Sequence, residues 1–151
     1  MKSTSSGKES DSLLRTLAAF RYELRRFLRF SENAALKEGL HPQQHQLLLH
    51  VAGAPEGTVV TIAYAADRLG LRHNSVVELV DRSEREGLLV RIADEDDKRR
   101  AILRATRKGI TVLARLSGVH ALELNEQAPQ LVHVLEHIAQ LAHLGARRGA
   151  R

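Results

Sequence analysis

The chain contains no cysteine, and only 3% of its 151 residues are aromatic. The absence of cysteine excludes disulfides, thiol redox switches and zinc sites built on thiolates. No apolar run approaches the ~20 residues that a membrane-spanning helix requires, and the polar start lacks a signal-peptide core. No Gly-rich phosphate loop and no recognisable Ser, His and Asp set occur either. These absences predict a cytoplasmic protein that has no membrane partner and is not an enzyme.

Positive charge is what the chain has in excess. It carries 23 Lys and Arg residues against 18 Asp and Glu residues, a formal net charge of +5. Basic surface attracts phosphate backbones, which makes a polyanion a candidate partner. Ordinary solubility explains the same charge, so charge alone leaves both interpretations open.

The spacing of apolar residues and of helix stop signals predicts a mainly α fold with one small β-hairpin. Thr61 is the expected N-cap of a short helix that Gly70 ends, and Pro129 is expected to start the last helix. Helices are predicted over residues 11–30, 42–53, 61–70, 73–86, 110–125 and 129–144, and strands over 88–93 and 101–106.

A short helix, a turn at "LGL", a second helix and a hairpin follow one another in the order of a winged helix-turn-helix. The second helix carries an apolar stripe, Val76, Leu79 and Val80, and a polar face that suits the major groove of DNA. Its start, "RHNS", offers donors to base edges or phosphates. This order therefore predicts a DNA-binding unit.

The hairpin tip changes sign abruptly, from four acidic residues to Lys98, Arg99 and Arg100. A hairpin beside a recognition helix can place arginine in the minor groove or on phosphates. Asp97, two residues from Arg99, is the predicted partner that holds this arginine. The alternative is a solvated charged turn that prevents edge-to-edge aggregation. The preceding helix-turn-helix pattern favours the first interpretation, a wing that contacts DNA.

From Leu40 to about Leu116 the chain resembles the MarR family of bacterial transcription regulators. The motifs "AADRLGL", "SVVELVDRSEREGLLVR" and "DEDDKRRAILRATRKG" carry the resemblance. Within them, Asp97-Lys98-Arg99 and Thr106-x-x-Gly109 match the family signatures Asp-x-Arg and Leu-Thr-x-x-Gly. The resemblance implies a homodimer built from N- and C-terminal helices, two winged domains on a pseudo-palindromic operator in double-stranded DNA, and usually repression relieved by a small-molecule effector.

On this basis the chain is expected to form one MarR-like domain over residues 11–145. Residues 11–38 and 110–145 are the expected dimerisation helices, and 40–109 the winged-helix DNA-binding region. Residues 1–10 are expected to be a disordered tail and 146–151 a frayed one.

Position by position, the resemblance implies a set of DNA-contacting residues and one wing-positioning residue, Asp97. The implied DNA-binding residues are Arg72, His73, Asn74, Ser75, Val77, Glu78, Arg82, Lys98, Arg99 and Arg100. Arg72 stands where a capping serine is usual, so this helix start is either capped by Asn74 or left to a phosphate. Glu78 either accepts from a cytosine amino group or pairs with Arg82, the second being slightly preferred. Ser83 and Ala105 replace larger leucines, which predicts a smaller core unless neighbours fill it.

An effector cleft is implied between the dimer helices and the winged domain. The candidates for its lining are Phe20, Tyr22, Phe27, His45 and Leu49. With so few aromatic residues, a large stacked aromatic ligand would find few partners.

Three alternatives remain at the level of sequence. His133 and His137 are four residues apart, which is zinc-ligand spacing and allows a zinc-responsive regulator, although a closed site needs about four ligands and no third is evident. A DNA-packaging protein would bind with a steep salt dependence and no operator preference. A protein-binding adaptor is disfavoured because the 73–86 helix is basic and polar rather than aromatic. No cofactor is expected.

Overall fold

The structure, a computed structural model, describes residues 4–97 and 99–149. The helices are α1 (Thr4–Lys37), α2 (Pro42–Ala52), α3 (Ile62–Leu69), α4 (His73–Arg85) and α5 (Arg107–Gly149), and the strands are β1 (Leu89–Ala93) and β2 (Ala101–Ala105). The prediction of a mainly α chain with one small hairpin is confirmed. None of the helices in the described part is both long and apolar enough to cross a bilayer.

The chain divides into two compact units. The first comprises the chain up to Phe30 and from His120 onwards, and the second comprises Ser31–Val119. The apolar core lies in the second unit. Its largest fully buried apolar side chains are Leu47, Leu48, Val76, Val80, Leu89, Leu103 and Leu116.

Helix α3 begins and ends at the two residues that the sequence predicted as its N-cap and its C-terminal stop. Thr61 caps α3, since its hydroxyl oxygen accepts the Tyr64 N–H at 3.2 Å. Gly70 ends α3 in the left-handed conformation, with φ of +63°, where a side chain would be strained. On α4, Ser83 is buried with the predicted stripe, and its hydroxyl donates to the Leu79 carbonyl at 2.8 Å. The buried hydroxyl group of Ser83 is therefore hydrogen-bonded, which avoids the cost of burying an unpaired polar group.

Helix α1 is longer than the sequence predicted. It begins at Thr4, so residues 4–10 are helical where a disordered tail was expected, and it ends at Lys37 rather than near Phe30. Adding a residue to an existing helix is far easier than nucleating one, which favours extension at both ends. The added C-terminal turn packs into the core through Ala35, and Gly39 then ends the helix with φ of +72°.

The prediction of two C-terminal helices separated at Pro129 is wrong. Helix α5 runs without a break from Arg107 to Gly149 with Pro129 inside it, and so passes through most of the segment expected to be a frayed tail. A proline in a helix interior costs about 3 kcal/mol, since it removes one hydrogen bond and crowds the preceding turn. Gln127 and Val134, on either side of the proline, are both buried. The helix therefore continues through the proline between turns that are buried on both sides.

The hairpin pairs Leu89 with Ala105 at its base and Ala93 with Ala101 near its tip. On the outer edge of β2, the Leu103 N–H donates to the Val60 carbonyl at 2.8 Å. The segment preceding α3 is thereby attached to the hairpin.

Thr106 and Gly109 secure the junction between the hairpin and α5. The Thr106 N–H donates to the Leu88 carbonyl at 3.0 Å and its hydroxyl donates to the Gly87 carbonyl at 2.6 Å. The Thr106 hydroxyl oxygen also accepts the Gly109 N–H at 3.1 Å and so caps α5. A Cβ atom on Gly109 would lie 2.2 Å from the Leu88 carbonyl oxygen, so this position needs glycine.

The close approach at Gly109 predicts that Gly109→Ala lowers the free energy of unfolding by about 1–3 kcal/mol, because the backbone carbonyl of Leu88 must move. Gly118→Ala is the matched control, since a Cβ atom there meets nothing within 4 Å. In the same helix this control should raise stability by about 0.5–1 kcal/mol. Urea unfolding at one protomer concentration measures both, and an equal response of the two variants would contradict the account of the junction.

Candidate nucleic-acid interface

The polar face of α4 is exposed along its whole length. Val76, Leu79 and Val80 hold the opposite face against the core. All the residues predicted to contact DNA on this helix or at its start are exposed except Val77, which is half-buried: Arg72, His73, Asn74, Ser75, Glu78 and Arg82. The helix therefore presents the predicted set, apart from Val77, to solvent.

The start of α4 has no side-chain cap. Arg72 is the N-cap residue in extended conformation, and Asn74 does not cap the helix. The first N–H groups of a helix lack partners within the helix and carry partial positive charge. This end of α4 is therefore suited to an anion such as a phosphate.

The preferred pairing of Glu78 with Arg82 does not form among the ion pairs of the described residues. Arg85, one turn further along, donates instead to the Asp81 carbonyl at 3.4 Å. Both Glu78 and Arg82 are exposed on the polar face.

Asp97 acts mainly on the backbone of the wing. Its Oδ1 accepts the Arg99 N–H at 3.1 Å, while the Arg99 Nε atom lies 4.0 Å from the same oxygen. The Arg99 side chain is 98% exposed. The predicted partnership is present, but it shapes the turn and leaves the guanidinium group extended into solvent. Lys98 lies outside the described residues.

Asp94 is the wing residue that sequence reasoning missed. Its carboxylate is buried, and one oxygen accepts both Nε and Nη2 of Arg100 at 2.6 Å. The other oxygen accepts the Asp96 N–H at 3.0 Å. The Asp96 N–H first, and the Arg100 hydrogen bond next, lower the pKa of Asp94 in spite of its desolvation. Arg100 is thus tied into the wing, and Asp94 is the internal anchor of the loop.

The wing, the start of α3 and the first residue of α4 line one groove of about 320 Å³. Its lining residues are Thr61, Ile62, Ala63, His73, Asp97, Arg99, Arg100 and Ala101. His73 thus lies at the same groove as Arg99 and Arg100, although it is far from them in sequence.

A second network that the sequence did not reveal joins α4 to β1. Arg91 donates from Nη1 to Glu84 at 2.6 Å and from Nη2 to Asp81 at 2.5 Å. Burial lowers the pKa of Arg91, but its hydrogen bonds to Asp81 and Glu84 and their negative charges outweigh that effect, so the pKa is raised. Only the i, i+3 spacing of the two acids hinted at this arrangement, because their basic partner lies on a strand.

The candidate effector residues fall in both units. Phe20, Tyr22 and Phe27 lie on α1 in the first unit, and His45 and Leu49 lie on α2 in the second. Tyr22 and Leu49 are exposed, whereas His45 is buried. Their role in lining an effector cleft stays a prediction.

The histidine pair on α5 makes no metal cluster. The rings of His133 and His137 are 6.4 Å apart, and His137 Nδ1 lies 3.4 Å from the Thr16 hydroxyl. Within residues 4–97 and 99–149, no three His, Asp or Glu side chains are grouped so as to hold a metal ion. The zinc-responsive alternative therefore gains no support from the arrangement of these residues.

Residues 38–100 match the sequence model of the MarR family. Over 96 residues the chain is 30% identical to a Thauera aromatica protein named for transcriptional regulation of the hcr operon. Over 93 residues it is 31% identical to the HTH-type transcriptional regulator MhqR of Bacillus subtilis. These alignments cover 64% and 60% of this chain, which spans only 56% and 60% of the two relatives.

The fold is also similar to that of solved structures. The transcriptional repressor CouR, bound to a 23-mer DNA duplex, is 26% identical to this chain and superimposes with a TM-score of 0.63. The similarity covers 88% of this chain and 90% of CouR.

Asp94 gives a pH-dependent prediction. A carboxylate whose pKa is lowered on folding stabilises the fold above its unfolded pKa, and this stabilisation is lost as pH falls through the lower folded pKa. The difference in unfolding free energy between the wild type and Asp94→Asn should therefore be full at neutral pH and should shrink progressively below the ordinary value of 3.8. Denaturant titrations across that range test this, and a constant difference would contradict it. Glu95→Gln, on the exposed tip, is the control.

Proposed function

The chain belongs to the MarR family of winged helix-turn-helix regulators, and on that premise we propose that it is a transcription regulator that binds double-stranded DNA. The observation that carries the proposal is the groove shared by the start of α4 and the wing, lined by His73, Arg99 and Arg100. An uncapped helix start and the exposed guanidinium group of Arg99 provide positive potential on two elements at once, whereas Arg100 is paired with Asp94. Such a surface suits a major groove and its flanking phosphates.

The proposed contacts divide by chemistry. The start of α4, with Arg72, His73, Asn74 and Ser75, would lie at the major groove, where asparagine can read adenine and the helix N-terminus can bind a phosphate. Val77, Glu78 and Arg82 would continue along the same face. Arg99 on the wing would lie against phosphates or in the minor groove, with Lys98 and Arg100 adding charge and Asp97 and Asp94 shaping the loop.

We also propose that the protein acts as a homodimer. In the described part of the first unit, the buried side chains are Thr16, Glu23, Gln127 and Val134, so most of what is buried is polar. Large apolar side chains on the same helices remain exposed: Leu13, Leu14, Leu17, Leu24, Leu28, Leu122, Leu124, Val132 and Leu135. A monomer rarely exposes that much apolar surface, and a second copy of the same helices would cover it.

A two-fold symmetric dimer would bind a pseudo-palindromic operator, since each protomer presents one α4 and one wing. Family membership, together with the regulatory names of the relatives, is the support for regulation of transcription at that operator. Repression relieved by a small molecule is proposed on family membership alone, with Phe20, Tyr22, Phe27, His45 and Leu49 as the first positions to mutate in a ligand screen.

Fluorescence anisotropy tests the function directly. Purified protein is titrated into the duplex from upstream of its own gene and into a scrambled duplex, across a salt series. A regulator should prefer its own site, with two chains per duplex and ~10³-fold or greater discrimination. Equal affinity for both duplexes with a steep salt dependence would favour DNA packaging instead. Binding to neither duplex at low salt would contradict the proposal and favour a protein-binding adaptor.

Arg99→Ala and Asn74→Ala should change DNA binding in different ways. Loss of Arg99 should weaken binding to all duplexes and reduce the salt slope by about one unit, because a phosphate or minor-groove contact is removed. Loss of Asn74 should instead relax preference at one base step, by about 1–3 kcal/mol. The same titrations measure both variants. If Arg99→Ala left affinity and slope unchanged, the wing would have no part in binding.

Leu122→Asp should dissociate the proposed dimer. Leu122 is 70% exposed in the single chain, and a charge there would be buried without a partner in a dimer. Sedimentation velocity should show a monomer at concentrations where the wild type is a dimer. Val59→Asp changes an exposed apolar residue of the second unit and should leave the dimer intact. A Leu122→Asp protein that sediments like a dimeric wild type would place the interface elsewhere.

A further inference from the structure

The free edge of β1 is covered by a helix side chain. Arg91 lies opposite Leu103 in the hairpin register, and the Leu103 N–H donates away from β1, to Val60. This is therefore a non-hydrogen-bonded pair, and the Arg91 N–H also faces away from its partner strand. Glu84 Oε1 of α4 accepts that N–H at 3.0 Å.

The guanidinium group of Arg91 binds α4 as well. Its two terminal nitrogens contact two carboxylates one helical turn apart, Glu84 and Asp81. The Arg91 side chain is 25% exposed, so the pair with Glu84 is shielded from part of the solvent screening. Three hydrogen bonds to two acids fix both the position and the orientation of β1 against α4.

This contact matters for binding because α4 and the wing would touch DNA at separate places. The wing follows β1 directly, and Arg99 lies at its tip. The distance between α4 and Arg99 decides whether both can contact one duplex at once. The same hydrogen bonds pair Arg91 with two of the acids on α4, Asp81 and Glu84, whose negative charges would otherwise repel phosphates.

We propose that Arg91, held by Asp81 and Glu84, is a positioning residue that fixes the wing relative to the recognition helix and thereby sets the sequence preference of DNA binding. This inference rests on the proposed function. Arg91 acts through the wing and through α4 and does not itself contact DNA.

Arg91→Lys separates geometry from charge, because lysine keeps the positive charge but lacks the planar fork that spans two carboxylates. The matched control is Arg115→Lys, which alters the ion pair of Arg115 with Glu38, at 2.8 Å in the same unit. Hydrogen–deuterium exchange of the DNA-free protein is followed over residues 89–105. Arg91→Lys should accelerate exchange there about fivefold, while Arg115→Lys should not change it.

The binding assay supplies the functional readout. In Arg91→Lys the ratio of affinities for the preferred and scrambled duplexes should fall about tenfold, whereas affinity for the scrambled duplex should be kept because the charge is kept. Should Arg91→Lys fold poorly, Glu84→Gln replaces it, since glutamine retains an acceptor for the Arg91 N–H. That variant should also accelerate exchange over residues 89–105 and lower the ratio of affinities, but because it removes a negative charge it should bind the scrambled duplex more tightly than the wild type does.

Unchanged exchange over residues 89–105 would overturn the proposal, as would faster exchange with unchanged preference. A wild-type protein that prefers no duplex would contradict the proposed function instead. In that case the exchange rates of the DNA-free protein would still decide whether Arg91 holds the wing.

Discussion

The backbone of Leu88 lies where α4, the hairpin and α5 meet, and the proposed DNA-binding surface of α4 and the wing depends on it. Its N–H donates to the Ser83 carbonyl at 2.9 Å, and its carbonyl accepts the Thr106 N–H at 3.0 Å. Gly109 gives α5 its close approach to that carbonyl, since a Cβ atom would lie 2.2 Å from it. One residue thus joins the end of α4, the base of the hairpin and the start of α5, so none of them can shift alone.

The acidic residues of the hairpin and of α4 pair with particular arginines of the hairpin. Asp94 binds Arg100 inside the loop, Asp81 and Glu84 on α4 bind Arg91 on β1, and Arg99 extends into solvent. Acidic residues of the wing and of α4 therefore hold these arginines and the turn of the wing in place. The abrupt change of sign at the tip leaves one fully exposed guanidinium group beside an uncapped helix start. This is the arrangement from which we infer DNA binding.

Local signals predicted the helix-turn-helix, because Thr61, Gly70 and the stripe Val76, Leu79 and Val80 act within one or two helical turns. Partners brought together by folding were not predictable in the same way. Asp94 is one of four consecutive acids, and only the turn that buries it distinguishes it from its neighbours. Pro129 was misleading because the helix continues through it between residues that are buried on both sides, which sequence spacing alone does not reveal.

We infer that α4 enters the major groove while the wing lies beside it, once for each protomer of a dimer. Guanine-methylation interference, on a duplex that the protein selects from a random pool, tests this most directly because the N7 methyl group blocks the major groove. We expect two dyad-related patches of interference, about one helical turn or a multiple of it apart. A single patch, or tight binding that methylation does not disturb, would contradict it.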